Sequence, residues 1–219
     1  MTVSNTEPVP AVTPELRRYV EHDILPLYDA FDAAHRRDHA EAVMARSMAL
    51  WRHYPALRAD MVYLVAAYHD VGLDEGREHH HEVSARRLLA DTKLRRWFTP
   101  EELALMAEAV EDHRASADRR PRSLYGCIVA EADRLIDPDT VIRRTVQYGL
   151  SHYPGLSREQ HYARMCEHLG RKYAAGGYLQ QCLPESPNAA PLARLRALIA
   201  DEGRLRAAFD ALYDAETAR

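Results

Sequence analysis

The sequence predicts an all-α protein, and three observations carry the prediction. Helix-start signatures recur, as in Thr13-Pro14-Glu15 and Thr99-Pro100-Glu101-Glu102: a capping hydroxyl, a proline at the first helical position, then acids at the positive end of the dipole. Apolar residues fall at helical spacing, as do Val43, Ser47 and Leu50. No alternating stretch is long enough for a useful strand.

In chain order, a first helix is expected from Thr13 to about Ala34, disturbed at Pro26, and a second over 38–53. A third runs from Pro55 to Asp70 through the apolar stretch Tyr63-Leu64-Val65-Ala66-Ala67-Tyr68, with Gly72 as its left-handed cap. After a loop over 71–78, helices follow at 79–91, 99–114 and 123–136. Asp137-Pro138-Asp139 punctuates, and a shorter helix reaches about Tyr148. Ser157 caps a long helix to about Ala175, which Gly176-Gly177 breaks, and two last helices cover 191–201 and 202–218. The expected organisation is a flexible segment over 1–13, one helical domain over 14–156, and a C-terminal helical extension over 157–219 packed on the same domain.

Composition narrows the function. The chain has 219 residues, is 47% apolar and carries a formal charge of -4, so it does not read as a nucleic-acid binder. Cys127, Cys166 and Cys182 are odd in number and widely spaced, which fits a reducing compartment better than a disulfide framework. The first ten residues lack the basic and apolar regions of a secretory signal, and no apolar run approaches a membrane span. The expectation is a soluble cytoplasmic protein without nucleic-acid or membrane partners.

The stretch with the most chemistry ends in His69-Asp70. A carboxylate at the end of a buried apolar helix is costly unless it is paired or holds a metal. Histidine is frequent, at twelve residues, and several stand at helix ends: His39 early in the second helix, His80 opening the fourth, His113 closing the fifth. Asp133 interrupts the apolar run Ile128-Val129-Ala130-Glu131-Ala132. Each alone suits a bland role: His39 at the surface, His113 complementing a helix C-terminus, Asp133 pairing with an arginine.

The set is more specific than its members. In the order His39, His69-Asp70, Asp133 it resembles the HD-domain superfamily of metal-dependent phosphohydrolases, whose H…HD…D residues come from separate helices of one bundle. Ala66-Ala67-Tyr68-His69-Asp70-Val71-Gly72 resembles the family's Ala-x-x-His-Asp-hydrophobic-Gly signature, and Ala132-Asp133 the Ala-Asp of its last ligand helix. The resemblance covers about 31–136 and implies an HD-domain helical bundle. His80 with Ser84-Ala85, and His113, resemble the extra ligands of two-metal members, with Asp70 bridging. His79, His80 and His81 are consecutive, and helical side chains diverge by about 100° per residue, so one of the three is expected in the site; the spacing to Ser84-Ala85 favours His80. His35, one turn before His39, is a candidate supporting residue.

The implied ligands are therefore His39, His69, Asp70, His80, His113 and Asp133, holding one or two divalent ions; imidazole with carboxylate suits Fe, Mn, Co, Ni, Zn or Mg. The implied activity is hydrolysis of a phosphate ester by metal-activated water, on a small soluble substrate such as a nucleotide or another phosphorylated metabolite. Candidate phosphate contacts are Arg77, Arg114, Lys172 and Tyr178, with Arg119, Arg120 and Arg122 clustered nearby. Asp74 and Glu75 are candidate acid or base catalysts. Two other readings stand beside this one: a mixed-valent di-iron oxygenase cleaving a C–C or C–P bond, as some six-ligand HD-domain proteins are, and a non-catalytic ligand-binding module. The helices beyond Ser157 are expected to roof the site or form a homodimer contact, with Tyr178-Leu179 as a mobile lid after two glycines.

Overall fold

A computed structural model describes residues 12–32, 35–114 and 120–218. All regular structure among them is helical. The chain divides into two compact units, Met1–Asp133 and Arg134–Arg219.

In the N-terminal unit, α1 (Pro14–Tyr19) widens into one broad turn over Val20–Ile24 and tightens into a three-residue-per-turn stretch over Leu25–Ala30. The single long helix expected there is thus three local geometries; Pro26 lacks the N–H that an α-helix would need at that point. There follow α2 (Arg37–Trp51), α3 (Ala59–Tyr68), α4 (His80–Ala90), α5 (Pro100–Glu111) and α6 (Leu124–Asp133). Short turns at Leu73–Glu75 and Thr92–Arg96 lie between them. Residues 1–11 and Arg119 lie outside the described residues. Within the segment expected to be flexible, Val12 is buried and Thr13 donates from both its N–H and its hydroxyl to Asp60, each at 2.7 Å.

Helix α3 is the centre. Ala59 and every residue from Met61 to Tyr68 are buried, as expected of a helix apolar on all faces, and it packs against α2, α5 and α6. The Tyr28 hydroxyl closes its C-terminal end. It donates to the Ala67 carbonyl at 2.9 Å and accepts from the Asp70 N–H at 3.2 Å, satisfying two backbone groups that the helix end would leave unpaired. Tyr28→Phe should therefore cost about 1–3 kcal/mol, the penalty for unpaired buried backbone groups, measured as a lower urea midpoint at unchanged helicity.

Gly72 is not the left-handed cap expected. Its φ is -91°, and among the described glycines only Gly76 has a positive φ, of 108°. Gly72 is needed for closeness: a Cβ there would lie 2.5 Å from the His80 carbonyl oxygen and 2.7 Å from the Ser84 nitrogen. Its N–H donates to the Ser84 hydroxyl at 2.9 Å. The chain leaving α3 is thereby seated on the first turns of α4.

The C-terminal unit comprises α7 (Pro138–His152), α8 (Arg158–Tyr173), α9 (Ala189–Ala200) and α10 (Glu202–Thr217). Its own core includes Ile142, Val146, Met165, Leu169, Leu195 and Phe209. Helix α7 belongs with this core, so the division falls at 133/134 and not at the 156/157 boundary expected from motif coverage. The Gly176-Gly177 turn ends α8 by backbone bonding: Tyr178 N–H to the Arg171 carbonyl and Leu179 N–H to the Lys172 carbonyl, both at 3.0 Å. Leu179 is buried. This tied turn replaces the mobile lid expected at Tyr178-Leu179.

Candidate metal centre

Five helix ends of the N-terminal unit deliver the polar cluster. His39 comes from the first turn of α2, His69-Asp70 follow α3, His80 opens α4, His113 follows α5, and Asp133 ends α6. Three of the four imidazoles are anchored in one way. The Nδ1 of His69 lies 2.8 Å from the Ala66 carbonyl, that of His80 2.8 Å from the Arg77 carbonyl, and that of His113 2.6 Å from the Val110 carbonyl. A carbonyl only accepts, so Nδ1 carries the proton in each and Nε2 presents a bare lone pair in the neutral ring.

Those Nε2 atoms converge around one carboxylate. Asp70 Oδ2 faces His69 at 3.3 Å and His39 at 3.9 Å, while Oδ1 faces His80 at 3.2 Å and His113 at 3.3 Å. Asp133 Oδ1 lies 3.2 Å from His39 and 3.9 Å from His69. Within the two halves the nitrogens also meet each other, His39 with His69 at 3.3 Å and His80 with His113 at 3.2 Å. Lone pairs brought this close repel unless a cation lies between them. The donor atoms of His39, His69 and Asp70 fall within 4.8 Å of one another, and so do those of Asp70, His80 and His113. The cluster thus offers two donor groups, with Asp70 in both, that could each hold a metal ion, and their nitrogen and oxygen donors suit first-row metals.

The electrostatics agree. Burial pushes the His69 imidazole down, but the adjoining Asp70 carboxylate outweighs it, with help from Asp133 and the Ala66 carbonyl, and holds the ring up at about 9. Burial would raise Asp70, yet His69, His113 and His80 hold it well below the usual carboxylate range. Asp133 is also lowered against its burial, chiefly by His39. A proton on His69 does without metal what a cation would do with it. Since the folded His69 value lies above the ordinary 6.5, its stabilisation is complete below pH 6.5 and is lost as pH rises through about 9. The metal-free protein should therefore lose up to about 3 kcal/mol over that window. Protein loaded with metal should not, because a bound cation replaces the proton and binds better as pH rises. Melting temperatures with and without chelator from pH 6.5 to 9 check this.

Residues 36–136 match the family model described as HD domain. These residues form an HD domain. It is an all-α fold of a metal-dependent phosphohydrolase-type family, and its span contains the whole cluster. No curated protein and no solved structure matches the chain.

Around the HD-domain cluster, other residues divide clearly. Of the three consecutive histidines, His80 enters the cluster. His79 is exposed beside Glu78 and Glu82. His81 is largely buried with its Nδ1 unpartnered; burial, then nearby Arg114, lowers it to about 4. Arg77 reaches His35 at 3.3 Å, and the His35 ring stands 5.8 Å from that of His39. The Arg114 guanidinium donates to the Glu78 carbonyl. Asp74 and Glu75 are occupied elsewhere: Arg87 binds them at 2.9 and 2.8 Å and also holds the Val71 carbonyl at 2.6 Å. These two residues, the expected acid or base catalysts, anchor the loop after His-Asp. Arg122 is structural, gripping Asp112 through its backbone N–H at 2.7 Å and its Nε at 3.0 Å. Lys172 and Tyr178 belong to the C-terminal unit.

Three residues that shape the centre escape sequence reasoning. Tyr28 braces the His-Asp turn, Arg87 braces the loop beyond it, and Arg46 on α2 donates to the Ala132 carbonyl at 2.5 Å, fixing the end of α6 beside Asp133. The cluster is open on one side: His39 and Asp133 keep 23% and 29% of their side chains exposed, whereas His69 is fully buried. A cavity of about 880 Å³, lined by Met44, Met48, Trp51 and Tyr63 among others, holds none of the clustered residues.

Proposed function

We propose that the protein is a dinuclear metal-dependent hydrolase that cleaves a phosphate ester of a small soluble substrate, a nucleotide or another phosphorylated metabolite. The observation that carries this is the division of one carboxylate between two imidazole pairs, Asp70 Oδ2 toward His39 and His69 and Oδ1 toward His80 and His113. When bound, a divalent metal pair activates water near neutral pH and polarises a phosphoryl oxygen.

The chain's own residues supply the rest. The carbonyls of Ala66, Arg77 and Val110 fix the imidazole tautomers and so keep Nε2 free as donor. Asp133, half-open beside His39, marks the side from which substrate approaches. Arg77 and Arg114, from the loops beside His80 and His113, are the cations we assign to the substrate phosphate. The exposed Arg77 would turn from His35 to do so. Release of inorganic phosphate from a panel of phosphomonoesters and nucleotides by the protein as purified, with dioxygen uptake recorded in parallel, tests the reading. Phosphate release that disappears in Asp70→Asn is expected. Dioxygen consumption without phosphate release from any ester would replace the hydrolase by an oxygenase.

A further inference from the structure

The C-terminal unit carries a charged pocket that the HD-domain chemistry does not use. Three tyrosines are the exposed aromatic side chains among the described residues: Tyr148, Tyr153 and Tyr178, at 50%, 46% and 39%. All three line one cavity of about 350 Å³, together with Arg164, His168 and Arg171. A second cavity of about 450 Å³ shares Tyr148, Arg164 and His168 with it and adds Arg144 and Lys172. Pockets of this size suit a small organic ligand better than a lone inorganic ion.

The charge is one-sided. Three arginines elsewhere in this unit are paired with carboxylates: Arg143 with Glu216, Arg158 with Asp210 and Asp214, Arg206 with Glu159 and Asp210. Of the lining residues, Arg144, Arg164, Arg171 and Lys172 are cations, and Glu167 is the one carboxylate. None of those four cations forms an ion pair among the described residues. Arg164 is fixed in place: it donates to the Thr145 carbonyl, and its guanidinium stands 5.8 Å from the ring centres of both Tyr148 and Tyr153. Its Nε is buried without a partner. Four like charges gathered around a single carboxylate are unfavourable, and a polyanion would relieve them.

We propose that this pocket is a second ligand site, which takes a nucleoside polyphosphate. The phosphates lie on Arg144, Arg164, Arg171 and Lys172, whose guanidinium and ammonium groups match phosphate oxygens. The base lies among Tyr148, Tyr153 and Tyr178, since aromatic faces stack on any base. Glu167 is placed to accept from a sugar hydroxyl or an exocyclic amine.

The test is calorimetric titration of the full-length protein as purified, in about 150 mM salt, with the β,γ-imido analogue of ATP, with tripolyphosphate and with adenosine. Both polyphosphates should bind, and adenosine should not bind measurably. Arg144 and Arg171 are exposed, so Arg144→Gln with Arg171→Gln should leave the melting temperature and metal content unchanged while weakening both polyphosphates about tenfold or more. Tyr178→Ala should weaken the ATP analogue and spare tripolyphosphate. Affinities in the double variant within a few-fold of the parent would assign the binding to the metal cluster and overturn the proposal, as would no binding by the parent. Equal loss of both probes in Tyr178→Ala, or no loss of either, would overturn the assignment of the base to the tyrosines.

Discussion

Asp70→Asn is expected to abolish metal binding in both halves of the cluster and to lower phosphate release by about 10³-fold or more. The carboxylate gives one oxygen to each imidazole pair, and the amide that replaces it offers one oxygen and no charge. Asparagine keeps the size of the side chain, so the helical circular dichroism should be preserved. A loss of several kcal/mol of charge stabilisation corresponds to that factor in rate. Elemental analysis and initial rates on the same preparation check it. Retention of two metals would show that Asp70 does not join the halves.

Gly72→Ala is expected to damage the second half alone. The added methyl would meet backbone atoms, the His80 carbonyl oxygen at 2.5 Å and the Ser84 nitrogen at 2.7 Å, besides the Val83 Cβ at 2.7 Å. Backbone cannot swing aside as a flexible side chain can, so the chain after α3 and the start of α4 must separate. Overpacking of this kind, with loss of the bond to the Ser84 hydroxyl, should cost about 2–4 kcal/mol. It should move His80 away from Asp70 while leaving His39, His69 and Asp133 in place, so metal content should fall by about one equivalent. Gly76→Ala is the control. Its Cβ would meet nothing within 4 Å, and only its φ of 108° opposes alanine, so it should cost about 1–3 kcal/mol and keep the full metal complement. Denaturant midpoints and metal content of the two variants distinguish contact from backbone strain.

What could be read in the sequence was whatever is local or ordered along the chain. Helix starts with proline were legible because the signal lies within four residues of what it starts; Thr99 and Glu102 form the reciprocal pair that their spacing predicts, whereas the Thr13 hydroxyl, expected as a cap, goes to Asp60 instead. The His39, His69-Asp70, His80, His113 and Asp133 set was legible as a resemblance, and these are the residues the fold gathers. The i-3 anchoring of His69 and His113 could also have been inferred, since a histidine just past a helix end reaches the carbonyl one turn back; His80, at the start of α4, reaches the Arg77 carbonyl of the preceding loop. Contacts between distant segments were not legible. Tyr28 meets Ala67 and Asp70 across about forty residues, Arg46 meets Ala132 across 86, and no local pattern marks either. Gly72 was located correctly for a reason that proved mistaken, because sequence reveals that a glycine is present but not which neighbour approaches it. The pairing of Asp74 and Glu75 was hidden likewise: Arg87, which binds them, lies a dozen residues further on α4. The boundary at 133/134 was hidden because the apolar face of α7 gives no sign of which unit it packs with.

Two metal ions sharing Asp70 would account for both imidazole pairs. Metal content of anaerobically purified protein, determined by elemental analysis beside His80→Ala and His113→Ala, tests it most directly. About two metals per chain are expected, falling to about one in each variant, with His39, His69, Asp70 and Asp133 retaining the remaining ion. One metal per chain in the parent, unaltered by either substitution, would contradict it and reduce the centre to those four residues.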